Sequence, residues 1–184
     1  MRYLLQCLFH GPVVEYQKGL IAAVADRFDL RCTQRQGLAP HFTVKYWFET
    51  YRIEQVEVLL ERFAAAHRPT AVTVGGIGSF PPDVVFLTVE LSAEARATFN
   101  ALVRELRTFE WMQWDQYDGD RLHFHATVAE QCGSQHDRII QFLTERRQQF
   151  ECSFDNITIL HQTGMRDGIQ DWSVHRTYLL QAAF

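Results

Sequence analysis

The chain has 184 residues, 47% of them apolar and 13% aromatic, which is enough apolar material for a substantial core and excludes both a disordered chain and one that needs disulfides or a metal to fold. Its formal charge of −4 excludes a broad basic surface for a long nucleic-acid backbone, so any nucleotide has to be gripped locally. The four cysteines, Cys7, Cys32, Cys132 and Cys152, are scattered without a Cys-x-x-Cys pair and read as free thiols of a reducing, cytoplasmic compartment.

Met1–Phe9 carries one positive charge and then an apolar run, but Gln6 interrupts it and His10-Gly11-Pro12 ends it too early for a signal peptide or a membrane span. A buried first strand is expected. Ile21, Val24, Ala25 and Phe28 have helical spacing, and Pro40 then introduces His41–Phe48, an aromatic and β-branched run that reads as a strand. Ile53, Val56, Leu60 and Phe63 mark a second helix. Val72–Val74 and Val84–Leu91 read as strands joined by a turn-rich loop through Gly75, Gly76, Gly78, Pro81 and Pro82.

Ser92 is a candidate N-cap for a helix whose inner face is Phe99, Leu102, Val103 and Leu106. A strand follows over Arg121–Ala129. Ser134 to Asp137 has capping-box form ahead of Ile139, Phe142 and Leu143, and strands near Phe154–Leu160 and Trp172–Leu180 end the chain. The order helix, strand with His-x-Thr, helix, two strands therefore occurs twice, with the histidines eighty-four residues apart. The expectation is one domain over residues 1–184, an α+β, bilobal duplicated fold whose lobes span about 12–91 and 92–180, with two antiparallel-rich sheets and outer helices around a central groove.

Alternate residues of a strand share a face, so His41 pairs with Thr43 and His125 with Thr127, while Phe42, Val44, Phe124, Ala126 and Val128 face the apolar layer. Two imidazoles on opposite sides of a phosphodiester can act as general base and general acid, and the two threonine hydroxyls can orient the non-bridging oxygens. The scheme needs no metal and no cofactor. On strict alternation Lys45 and Trp47 fall on the His41 face, one as a phosphate-binding charge and the other as a base-stacking surface.

His41-Phe42-Thr43-Val44 and His125-Ala126-Thr127-Val128 resemble the paired His-x-Thr/Ser-x-hydrophobic motifs of the 2H phosphoesterase superfamily, which includes the 2′-5′ RNA ligase-like proteins. Gly76-Ile77-Gly78-Ser79-Phe80-Pro81 ahead of a Val-Val-Phe-Leu strand is similar to the segment between the motifs in that family. The resemblance implies both motifs in a central groove and hydrolysis of 2′,3′-cyclic or 2′-5′ phosphodiesters on RNA ends or nucleotides. The sequence is expected to meet no membrane, and no obligate protein partner is readable in it. One departure stands out. RNA ligase-like members often carry an arginine five residues after the second histidine, and here that residue is Glu130.

Other readings attach to the same residues. His123 and His125 share a face, so a zinc hydrolase using His41, His123 and His125 is one alternative, and a non-catalytic nucleotide-binding module is another. Gly75, Gly76 and Gly78 lack the remainder of a phosphate-binding loop, and Asp115, Asp118 and Asp120 read as a solvated loop. Trp111, Trp114 and Trp172 read as packing residues, and His161 and His175 as structural or surface groups.

Overall fold

The computed structural model describes residues 1–166 and 168–181. In chain order the elements are β1 (Arg2–Leu8), α1 (Pro12–Phe28), α2 (Cys32–Gln36), β2 (His41–Glu49), α3 (Ile53–Ala66), β3 (Thr70–Phe80), β4 (Val84–Leu91), α4 (Ala93–Leu106), β5 (His125–Ala129), α5 (His136–Thr144), β6 (Gln149–Phe154), β7 (Asn156–Arg166) and β8 (Ile169–Leu179). They form two four-stranded antiparallel sheets in the orders β2-β1-β7-β8 and β5-β4-β3-β6. In each sheet the strand that begins with a motif histidine is an edge strand, and the two edges, β2 and β5, pack together.

The boundary expected near residue 91 does not separate the two sheets. One sheet takes the strands from both ends of the chain and the other takes the four from its middle. The repeated unit is β1-α1-β2-α3 and again β4-α4-β5-α5, and the long strand that completes each unit, β3 or β7, joins the sheet of the other one. Neither half can therefore complete a sheet by itself, which ties both lobes into one folding unit.

The helices bury the faces their spacing predicts. Val24, Ala25 and Phe28 of α1 are buried, as are Ile53, Val56, Leu60 and Phe63 of α3, Phe99, Leu102, Val103 and Leu106 of α4, and Ile139, Phe142 and Leu143 of α5. The Ser92 side chain accepts from Ala95 N at 3.1 Å, so the N-cap forms. Ser134 does not cap α5, because Gly133–Gln135 coil into a 3₁₀ turn and Gln135 takes the cap position without a side-chain bond. Beneath the motif strands an aromatic layer joins the lobes: the ring of Phe42 lies 5.8 Å from Phe9, 5.8 Å from Phe124 and 5.7 Å from Phe154. Burial of rings on this scale is the largest favourable contribution such a core can make.

Three other segments differ from expectation. The glycines at 75, 76 and 78 lie inside β3 rather than in a loop, which shrinks to Pro81–Asp83. Gly76 is left out of register as a bulge with φ +68°, and a Cβ there would stand 2.9 Å from Thr88 Oγ1. Gly78 is bare because the Phe86 ring lies on it, and a Cβ there would stand 2.3 Å from that ring. The strand that carries the second motif starts at His125 and not at Arg121, since Gly119–Arg121 form a 3₁₀ turn. Near the C-terminus three strands stand where two are expected, because β6 pairs with β3 before the chain turns into β7.

Candidate active site

Burial along β2 from His41 to Tyr46 alternates for four residues and then slips, leaving Val44 and Lys45 both buried and Tyr46 half-buried. β5 does the same, with Val128 and Ala129 both buried and Glu130 half-buried. The ladders give the reason. Leu5 pairs with Lys45 but Gln6 with Thr43, which leaves Val44 as an extra residue. Val85 pairs with Ala129 but Phe86 with Thr127, which leaves Val128 as an extra residue. Each motif strand thus carries a bulge three residues past its histidine, and the bulge turns the next side chain inward and the one after it, Tyr46 or Glu130, onto the histidine face.

This overturns the placement of Lys45 at the phosphate. Lys45 is 1% exposed and points into the lobe, where Nζ donates to Asp118 Oδ2 at 2.6 Å and to the Tyr46 carbonyl at 3.1 Å. Asp118, expected in a solvated loop, is equally buried and accepts in addition from the backbone N–H of Tyr46 and of Asp115, each at 2.9 Å. Burial lowers the Lys45 pKa, opposed by the bond to Asp118 and by the charges of Asp118 and Asp115. The ammonium also lies 4.9 Å from the ring of Trp114. This pair holds the 115–118 loop against β2.

His41, Thr43, His125 and Thr127 all line one cavity of about 270 Å³ between the lobes, together with Trp47, Tyr46 and Glu130. Trp47 keeps its place at the cleft, with the Arg2 guanidinium 4.4 Å from its ring centre. Both histidines are held alike: Nδ1 of His41 meets the carbonyl of Ala39 at 2.7 Å, and Nδ1 of His125 meets that of His123 at 2.7 Å. A carbonyl only accepts, so each Nδ1 carries the proton and each Nε2 is left for proton transfer.

The two rings differ in their surroundings. His125 stands 5.1 Å from the ring of Phe80 and 4.9 Å from that of Phe86, the ring seated on Gly78. Burial pushes the His41 pKa down to about 4, opposed by the bond to Ala39 and reinforced by charge on His125. Burial also lowers His125, opposed by its bond to His123 and reinforced by charge on the His123 ring.

Several cavity residues carry no motif: Gln6 of β1, Gln17 and Ile21 of α1, Thr33 and Gln36 of α2, and Gln170 and Trp172 of β8. Gln17 leaves a trace in the sequence, since it falls on the buried stripe Val13, Gln17, Leu20, Val24, where an amide is out of place unless it serves a site. His123 is exposed, with its ring 5.3 Å from Phe80 and 5.5 Å from Phe86. Among the described residues no three His, Cys, Asp or Glu side chains gather as metal ligands, so the alternative set His41, His123 and His125 is not assembled.

The sequence model of the 2′-5′ RNA ligase superfamily matches residues 20–166, a span that takes in both motif strands and most of the chain. The chain belongs to this superfamily of 2H phosphoesterases. Solved structures agree on the fold: TT0787 of Thermus thermophilus is similar at 18% identity and a TM-score of 0.63, and E. coli LigT in its apo form at 12% and 0.64, each over 98% of both chains. E. coli LigT has also been solved with ATP, and that structure is similar at 14% identity and a TM-score of 0.62, again over 98% of both chains. Comparison with curated proteins gave no match. Among the described residues no helix is long and apolar enough to cross a membrane.

Proposed function

We propose that this superfamily member is a metal-independent phosphodiesterase that opens 2′,3′-cyclic or 2′-5′ phosphodiester bonds of RNA ends or nucleotides, with His41 and His125 as base and acid. The observation that carries the reading is the matched pair of Nδ1–carbonyl bonds, which gives two histidines of one cleft the same tautomer and one available nitrogen each. Membership of the 2H phosphoesterases supports the reaction class, and nucleotide complexes of E. coli LigT, a protein of the same fold, support a nucleotide-like ligand.

In the scheme a water oxygen forms a bond to phosphorus while His41 Nε2 takes its proton. His125, protonated on Nε2, gives that proton to the ribose oxygen as the phosphorus–oxygen bond breaks, leaving a phosphomonoester and a free hydroxyl. A His41 pKa pushed down to about 4 suits that ring to the base role, which leaves the acid role to His125. Thr43 and Thr127 orient the non-bridging oxygens, and Trp47 offers a face to the base.

The test is hydrolysis of 2′,3′-cyclic nucleotides and short 2′-5′ oligonucleotides in excess EDTA. The expected result is turnover that survives the chelator and is lost in His41→Ala and in His125→Ala. Turnover abolished by EDTA and restored by zinc would overturn the mechanism, and nucleotide binding without turnover across the panel would leave a binding module.

A further inference from the structure

The cavity has a second, polar wall on which unpartnered acceptors gather. Gln17 is 3% exposed and its Nε2 donates to the Thr127 carbonyl at 2.9 Å, which fixes the amide orientation and leaves Oε1 as a buried acceptor without a partner. Gln6, 2% exposed, likewise has an unpartnered Oε1, and the Thr33 hydroxyl beside them has no partner. Glu130 completes the wall. The contacts it receives, from Gln36 Nε2 at 2.9 Å and from the Cys32 thiol at 3.8 Å, both fall on Oε2. Among the described residues that line the cavity there is no lysine or arginine.

Buried acceptors are costly unless a donor reaches them, and both glutamines and Glu130 line the cleft. A ligand group that answers this wall carries donors and no negative charge, and on the sugar of a nucleotide that group is a hydroxyl. A phosphate dianion, which only accepts, would face two amide oxygens and a carboxylate in a site of reduced dielectric. In a 2′,3′-cyclic nucleotide the one free sugar hydroxyl is the 5′ one, and it is the group that a second phosphate would replace.

We propose that this wall is a hydroxyl-recognising subsite, in which Gln17 and Gln6 accept from the unphosphorylated sugar of the substrate and Glu130 rejects a second phosphate there. The substrate class is then a singly charged phosphodiester with a free hydroxyl end, in contrast to 5′-phosphorylated ends. The proposal rests on the phosphodiesterase reading of the same cleft. It accounts for the bulge after His125 delivering a carboxylate into the site, five residues past the histidine.

Two measurements test it. The first compares kcat/KM for adenosine 2′,3′-cyclic phosphate and for its 5′-phosphorylated form; the second compares calorimetric binding of adenosine 3′-phosphate and adenosine 3′,5′-bisphosphate. Wild type is expected to favour the 5′-hydroxyl ligand in both by about tenfold or more, Glu130→Gln to narrow the ratio to about threefold or less, and Glu130→Arg to invert it. Gln17→Leu should weaken the 5′-hydroxyl ligand and leave the bisphosphate little changed. Equal or preferred use of the 5′-phosphorylated forms by wild type overturns the inference while turnover leaves the phosphodiesterase reading standing. Binding preference without turnover sinks that reading and keeps the subsite, and absence of both binding and turnover sinks both.

Discussion

The strands that carry His41 and His125 share six residues of backbone logic and differ in what stands behind them. Each begins with a histidine held through Nδ1 by the carbonyl two residues earlier, presents a threonine on the same face, bulges, and delivers its sixth residue into the cleft. Behind β2 the bulge sends Lys45 into an ion pair with Asp118, whereas behind β5 it sends Ala129 into apolar packing. The His125 ring is flanked by Phe80 and Phe86, and the sixth residues are Tyr46 on one side and Glu130 on the other. The repeated backbone holds two imidazoles in equivalent ways, and the unrepeated neighbours give them different surroundings.

The comparison breaks first at the histidines. His41→Ala and His125→Ala should each lower kcat by about 10²- to 10⁴-fold with the far-ultraviolet circular dichroism unchanged. Their pH profiles should separate the roles. In wild type, kcat/KM should rise as pH climbs through about 4, where His41 loses its proton, and fall again at higher pH, where His125, lowered by burial, loses its own. His41→Ala should erase the acidic limb and His125→Ala the other, and the reverse pattern would exchange the assigned roles.

The next difference lies behind the bulges. Asp118→Ala leaves a buried ammonium unpaired and should cost about 3–5 kcal/mol in chemical denaturation, with the double variant Lys45→Met, Asp118→Leu costing less than the single one. A double variant no more stable than Asp118→Ala would show that the pair is not the anchor of the 115–118 loop. Smaller in effect, Gly78→Ala drives a methyl into the Phe86 ring and should cost about 1–3 kcal/mol by overpacking, with a fall in kcat because that ring supports His125. Smallest is Thr43→Val or Thr127→Val, each expected to lower kcat/KM by about tenfold through loss of one hydrogen bond to a charged oxygen. A large effect at one threonine alone would show that the phosphoryl group is held from one strand.

The helices are readable because their apolar spacing is local: the inner faces of α3, α4 and α5 are buried at the positions their periodicity picks out. Alternation, by contrast, misplaces Lys45, because a bulge depends on how a strand meets its neighbour and leaves no signature in its own residues. The glycines of β3 fail as a turn signal for a related reason. They make room for Thr88 and Phe86 on β4, which is information held by the partner strand.

By itself the sequence determined the matched pairs, a histidine and a threonine on one face of each of two strands, since residue type and local spacing are one-dimensional properties. The tertiary structure decided which further side chains reach the cleft. Pairing in the sheets moved Lys45 inward and Glu130 outward, the exchange of β3 and β7 closed both lobes, and the packing of α1 on β5 brought Gln17 to the wall. These depend on contacts between residues far apart in the chain, and no single strand encodes them.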